Sequence, residues 1–418
     1  MSNTERDSAG RRPPPARERP SGLQLFFSHA FRPFFLGAGI YAALAMAAWI
    51  AWIGVHMAGG MPRIMSVAEP LHLWHAHEMT YGFAGAAAGG FLLTAVPNWT
   101  GARHSHGPAL ALMFALWCAG RLVMWNTAFI PASLAALVDL AFLPVLGFAA
   151  ARQLAVQPAL RNVIFLSLIV ALIIGNAIYH LGRMSLLEGG MHIGVVLGVC
   201  TLALMVIVIG GRVVPAFTTN ALRRKGVPEH RLPVQNGAVN KASLILSAVA
   251  LLLFVVAAGD RLTGLFALVA AAANGVRLAR WRGLATLDDP IVWVLHLGYG
   301  WIVAGFLLLG TALLTGWVGE ISALHAFATG AVGTMTLAIM SRASLGHTGR
   351  AITASPAVTA AYLLVSAAAL LRCFGPALAP RFFNEVMLLA GGAWIAAFGL
   401  FSLTFLPILT APRVARPG

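Results

Sequence analysis

Apolar stretches of roughly 17 to 25 residues, each long enough to cross a hydrocarbon core of ~30 Å as a helix, recur along almost the whole chain. A bilayer offers no water to backbone N–H and C=O groups, so such segments must be helices that satisfy their hydrogen bonds internally. The pattern predicts twelve of them, near 34–54, 78–97, 108–126, 133–151, 162–181, 192–211, 240–258, 261–278, 291–315, 322–341, 354–372 and 386–410. The seventh and eighth meet at Asp260 and Arg261 with almost no loop, so eleven is the rival count. Composition agrees: 59% of the 418 residues are hydrophobic and 10% are charged, a balance no soluble domain needs. The expected fold is all-α, a polytopic integral membrane bundle of about twelve transmembrane helices forming one domain over 34–410.

Residues 1–33 hold Arg11, Arg12, Pro13, Pro14, Pro15, Arg17, Arg19 and Pro20 and read as a disordered basic leader. No A-x-A cleavage site follows the first apolar run, which argues against a signal peptide. Residues 411–418 form a short tail. Under the twelve-helix scheme, 22 Lys and Arg fall at the side of the N-terminus, and only Arg63, Arg121, Arg183, Arg261, Arg372 and Arg381 fall at the other. Positive loops stay in the cytoplasm, so both termini are expected there. The net charge of +15 is then explained by basic loops facing an anionic leaflet of the lipid bilayer, with no nucleic acid partner.

Cys118, Cys200 and Cys373 stand far apart without a C-x-x-C pair, which disfavours disulfides, iron–sulfur clusters and thiolate zinc. Imidazole is the remaining ligand class, and thirteen histidines carry the signal. On this topology His72, His75, His77, His180, His192 and His325 gather at helix ends on the outer side. His29, His104, His106, His230, His296 and His347 lie towards the cytoplasm, and His56 lies just outside the first helix. His72 and His75 share a helical face, whereas His75 and His77 point in different directions and cannot chelate one ion from a regular helix. Three or four outer imidazoles at one depth would match a haem axial site plus a copper site. Glu78, next to His77, either fixes its tautomer or stabilises the first turn of a helix. Arg32 and Arg212 sit beside apolar segments, where each either anchors topology or grips a haem propionate.

Several segments in order resemble the NnrS family of nitric-oxide-response membrane proteins: Phe31-Arg32-Pro33-Phe34-Phe35, Trp74-His75-Ala76-His77-Glu78-Met79, residues 90–101, Gly211-Arg212-Val213-Val214-Pro215-Ala216-Phe217-Thr218, Leu295-His296-Leu297-Gly298-Tyr299, and residues 325–350. The resemblance implies haem b and copper, a role in nitric oxide tolerance linked to denitrification, and a bacterial inner membrane location. It also implies metal ligands among His75, His77, His180, His296, His325 and His347, while His104 and His106 inherit no role. His77, His325, Arg32 and Arg212 are the expected haem contacts, with nitric oxide as ligand and an unidentified electron donor as partner. A copper or haem transporter remains open, because Pro97, Pro144 and Pro215 could break helices. So does a nitric oxide reductase, although Asp139, Tyr179 and Tyr299 alone offer no dense carboxylate relay.

Overall fold

The computed structural model describes residues 21–60, 66–256 and 260–414, with the side chains of 160–162 excepted. Most of the expected leader, the last four residues of the tail, and Arg63 lie outside the described residues. Within residues 21–33 a short helix, Gly22–Phe26, is closed by a capping box between Ser21 and Gln24. Among the described residues, twelve helices are long and apolar enough to cross a membrane. They are α1 Phe31–Met57, α2 Leu71–Thr100, α3 Gly107–Met124, α4 Ala132–Leu154, α5 Val163–Arg183 and α6 Gly190–Arg224. They continue as α7 Gly237–Val256, α8 Arg261–Ala279, α9 Pro290–Thr315, α10 Glu320–His347, α11 Pro356–Leu378 and α12 Pro380–Leu409. Asp260 resolves the count: its carboxylate accepts from the backbone N–H of Leu262 at 3.1 Å, so it starts α8 as a helix separate from α7.

Consecutive helices pack tightly in pairs, α5 with α6, α8 with α9 and α11 with α12, and the last helix returns to lie on the first. Buried Arg32 secures this return by donating to the carbonyls of Leu409 at 2.6 Å and Ala411 at 2.8 Å, the unpaired acceptors at the end of α12. The backbone of Val414 adds a bond to Thr348 O at 2.9 Å, joining the tail to α10. Among the spans, α2 and α6 are the most enclosed, followed by α10.

These three enclosed helices depart from the expected boundaries. α2 starts at Leu71, so its histidines lie within the span and not at its entry. α6 runs for 35 residues through Pro215, and Arg212 therefore sits on a continuing helix. α10 runs on to His347, which is helical as well. In addition, α2 and α10 share one irregularity: a π-helical stretch, Glu78–Ala84 in the first and Ala326–Gly333 in the second, begins just after a histidine. A π turn inserts a residue and rotates the remainder of the helix, which is how His77 and Glu78 both reach the interior. One carbonyl of the stretch, Gly82 O, accepts the indole N–H of Trp117 from α3 at 2.9 Å.

α5 and α6 approach through glycine. A Cβ on Gly194 would lie 2.5 Å from Gly175 O and 2.6 Å from Tyr179 N, so no side chain fits there. Gly194→Val is expected to force the two helices apart and cost about 1–3 kcal/mol. Thermal unfolding in detergent should show a lowered midpoint; an unchanged midpoint would mean that the contact does not hold the pair.

Candidate metal centre

At the end of the bundle opposite the termini, α2, α3, α4 and α5 bring together residues scattered from 77 to 180. His77 Nδ1 donates to Glu78 Oε1 at 2.8 Å, and His77 Nε2 faces Asn176 Oδ1 at 2.8 Å and Asp139 Oδ2 at 3.3 Å. His180 Nε2 donates to Asp139 Oδ2 at 2.9 Å, and the amide of Asn176 donates to the same oxygen at 2.9 Å. Arg121 bridges the two carboxylates, donating to Glu78 Oε1 at 2.5 Å and to Asp139 Oδ1. Tyr41 donates to the other oxygen of Glu78 and accepts from the indole of Trp125 at 2.8 Å. All of these groups except Trp125 are buried, and Tyr179 packs its ring 4.3 Å from that of His77.

With both histidines neutral, the charges do not cancel. Glu78 and Asp139 supply two negative charges and Arg121 one positive charge, in a slab where an uncompensated charge costs several kcal/mol. The atoms facing the His77 ring nitrogens are acceptors, an arrangement that suits an imidazolium or a metal ion exchanged for its Nε2 proton. His77, Asp139 and His180 each offer one ligand atom, all within 4.8 Å of one another. Two imidazoles and a carboxylate form a borderline donor set that takes copper, zinc or iron(II). Ligand atoms around a tetrahedral ion at ordinary bond lengths lie about 3.3 Å apart, so small rotations of these side chains would suffice. Glu78 and Asn176 would hold the ligands in place, since a ligating imidazole is normally fixed through its second nitrogen or a neighbouring amide.

A second feature lies at the end of the bundle that carries the termini. A cavity of about 840 Å³ opens between α1, α2, α6 and α10, walled by Phe35, Phe91, Trp99 and Phe217 and reached by Arg212, Arg342 and His347. This is a volume typical of sites for a large planar cofactor, mostly apolar with a few polar groups. Arg342 is 8% exposed, rests its guanidinium 3.8 Å from the centre of the Phe217 ring, and leaves Nη1 without a protein partner. A buried, partly unpaired guanidinium beside an apolar cavity calls for an anionic group, which haem propionates would supply. The residues therefore fit a haem.

The other sequence-expected residues are dispersed. His75 stacks on Trp49 with ring centres 4.9 Å apart, and lies within electrostatic range of His325 and Arg372. His325 Nδ1 donates to Ile321 O at 2.8 Å. His296 donates from Nε2 to the hydroxyl of Thr218 at 2.8 Å and so joins α9 to α6, away from the cavity lining. The guanidinium of Arg32 is committed to the end of α12. His72 and His192 are exposed, and His29 places its ring 5.8 Å from that of His104 at the terminal end. Arg121 corrects the reading of basic loops: it is an internal partner of two carboxylates and no surface charge. Asn176, Arg342 and the Arg121 bridge carried no expectation from sequence. Their only available signal was that Arg121 and Asp139 are charges inside apolar stretches, and each such charge demands a partner.

Arg121→Met is expected to leave Glu78 and Asp139 facing each other without a cation and to cost about 3–5 kcal/mol. The double variant R121M/E78Q, which removes one of the two negative charges, should recover part of that loss in detergent thermal denaturation. Equal midpoints for the wild type and R121M would show that the bridge contributes nothing.

A family model described as NnrS protein matches residues 25–413. No curated protein matches the chain. The match spans all twelve membrane helices, the histidine–aspartate group and the cavity, and the chain belongs to the NnrS family.

Proposed function

We propose that this protein holds copper and haem b for nitric oxide tolerance in denitrifying bacteria, in the inner membrane with both termini cytoplasmic. The observation that carries the reading is the buried His77–Asp139–His180 group, whose surrounding charges leave room for one cation. Copper suits its two imidazoles, and family membership favours copper over zinc or iron. In the cavity at the other end, His347 would hold the haem through its iron, and Arg212 and Arg342 would hold it through its propionates. Ferrous haem and reduced copper supply the affinity for nitric oxide, with electrons coming from an unidentified donor.

The chain's own residues then do three things. Among the described residues His347 is the one histidine on the cavity wall, so the wall offers a haem a single imidazole. Phe35, Phe91 and Phe217 line the cavity with hydrocarbon, which excludes water and would admit an apolar gas dissolved in the bilayer. Glu78 and Arg121 keep His77 and Asp139 in place. The orientation in the membrane is supported by charge: Arg121 is internal and Arg183 faces Glu69, which leaves the end opposite the termini even poorer in free positive charge.

Metal analysis of detergent-purified protein tests the assignment. His77→Ala and His180→Ala are expected to lose copper while retaining haem, and His347→Ala to lose haem while retaining copper. Parallel loss of both metals in every variant, or retention in all, would overturn it. Anaerobic addition of nitric oxide to the reduced protein should shift the Soret band; an unshifted band on fully reduced haem would exclude gas binding there. Reporter fusions at the C-terminus should be active only in the cytoplasm, and periplasmic activity would reverse the orientation.

A further inference from the structure

Next to the metal centre, on the side facing the exposed loops, four buried polar atoms lack a protein partner. They are His180 Nδ1, Tyr179 Oη, Arg183 Nε and Glu69 Oε1. Buried polar groups almost always have partners, and an isolated exception is costly within a bilayer. These four are neighbours in the fold: Tyr179, His180 and Arg183 lie within five residues of α5, and Arg183 faces Glu69. Tyr179 and Arg183 are one helical turn apart on α5 and share a face. Arg183 Nη1 lies 3.9 Å from Glu69 Oε2, which accepts from the hydroxyl of Thr127 at 2.7 Å. Tyr179 is within electrostatic range of Glu69, Arg183, Glu78 and Asp139. Glu69 is 6% exposed, yet its chain neighbours Ala68 and Pro70 are exposed, so it lies just beneath the surface.

The geometry points to a hydrated passage that leads from the loop surface past Glu69, Arg183 and Tyr179 to His180, through which a metal cation reaches the His77–Asp139–His180 centre from the face opposite the termini. Water between these four atoms would satisfy all of them at once, as buried water does where several polar groups converge. With His77 neutral, the passage and the centre together hold three carboxylates, Glu69, Glu78 and Asp139, against two guanidinium groups, Arg121 and Arg183, so the field draws cations inward and a cation would take the place of the His77 proton. Glu69 keeps one oxygen free to meet an ion at the mouth, and His180 Nδ1 offers a lone pair at the inner end. Tyr81 provides the internal contrast. It is as buried as Tyr179, but its hydroxyl is satisfied by Gly194 O at 2.5 Å, and it faces no such group of unpaired atoms.

The delivery role rests on the metal reading proposed above, whereas the passage itself does not, and two measurements separate them. In a background with Cys118, Cys200 and Cys373 replaced, Tyr179→Cys and Tyr81→Cys are compared in proteoliposomes. A membrane-impermeant methanethiosulfonate reagent is added on one face at a time. Tyr179→Cys should react only from the face opposite the termini, and Tyr81→Cys should stay unreactive. Equal behaviour of the two variants, or reaction of Tyr179→Cys from the terminal face, overturns the passage. Loading of metal-free protein with Cu(I) is then measured over time. Glu69→Gln should load about tenfold more slowly than the wild type and reach the same final content. An unchanged rate removes Glu69 as the mouth. If Tyr179→Cys is labelled as expected but no copper binds at all, the metal reading fails and the hydrated passage stands.

Discussion

The arrangement of α2, α3, α4 and α5 depends on one constraint, that charge cannot be left unpaired in a hydrocarbon slab. Arg121 reaches from α3 to Glu78 on α2 and Asp139 on α4, and Asp139 in turn receives His180 and Asn176 from α5. Four helices are thereby joined through three ionised groups. Helix association in a bilayer lacks the hydrophobic drive that works in water, so such polar bridges and the close approach of small residues must set the packing. Gly175 and Gly194 do the second job where α5 meets α6. A buried ionic network is poor at adding net stability, because desolvation offsets most of its attraction. Its effect is to fix one arrangement of the helices, with His77 and His180 on the same carboxylate oxygen.

The two ends of the bundle are built from different chemistry. The end opposite the termini is dense in buried polar groups and tightly packed, its two carboxylates being balanced by Arg121 together with either a protonated His77 or a bound cation. The terminal end is roomy and apolar, with Arg212 and Arg342 at its cavity. A smaller space of about 60 Å³ extends this cavity towards the middle of the bundle, sharing Phe35, Phe91 and Ile339 with it and bounded by Ala84, Met205 and Val332. Ala84 closes the π stretch that begins just after His77, so the same helix that carries this imidazole also walls the smaller space. An apolar diatomic gas would cross such a space readily, whereas a hydrated ion would not.

The paired irregularities of α2 and α10 belong to the same design. Each helix carries a π stretch directly after a histidine, and the two stretches touch each other near the middle of the bundle. π turns leave backbone groups poorly satisfied, and a membrane makes that expensive unless side chains supply partners. The indole of Trp117 does so for Gly82. The distortion gives two adjacent inward side chains, His77 and Glu78, which a regular helix would have aimed apart.

The sequence by itself determined the fold class and, to within one, the number of spans, because apolar length and the absence of water in the bilayer leave no other backbone solution. At Asp260 it left eleven and twelve spans open, and the structure decided, because the Asp260 carboxylate caps the start of α8. The sequence also singled out the histidines and, through ordered motifs from residue 31 to residue 350, the family. Tertiary structure alone decided which of them meet. His75 and His77 are two residues apart, yet one stacks on Trp49 while the other joins Asp139, on a helix that a π turn invisible to hydropathy rotates from Glu78 onward. Asp139 and His180 are 41 residues apart, and Arg342 entered the cavity of Arg212 from a helix more than a hundred residues later. Periodicity reports which face of a helix is apolar. Which charges pair across helices is set by packing, and that depends on the small residues, π turns and buried bridges of the whole bundle.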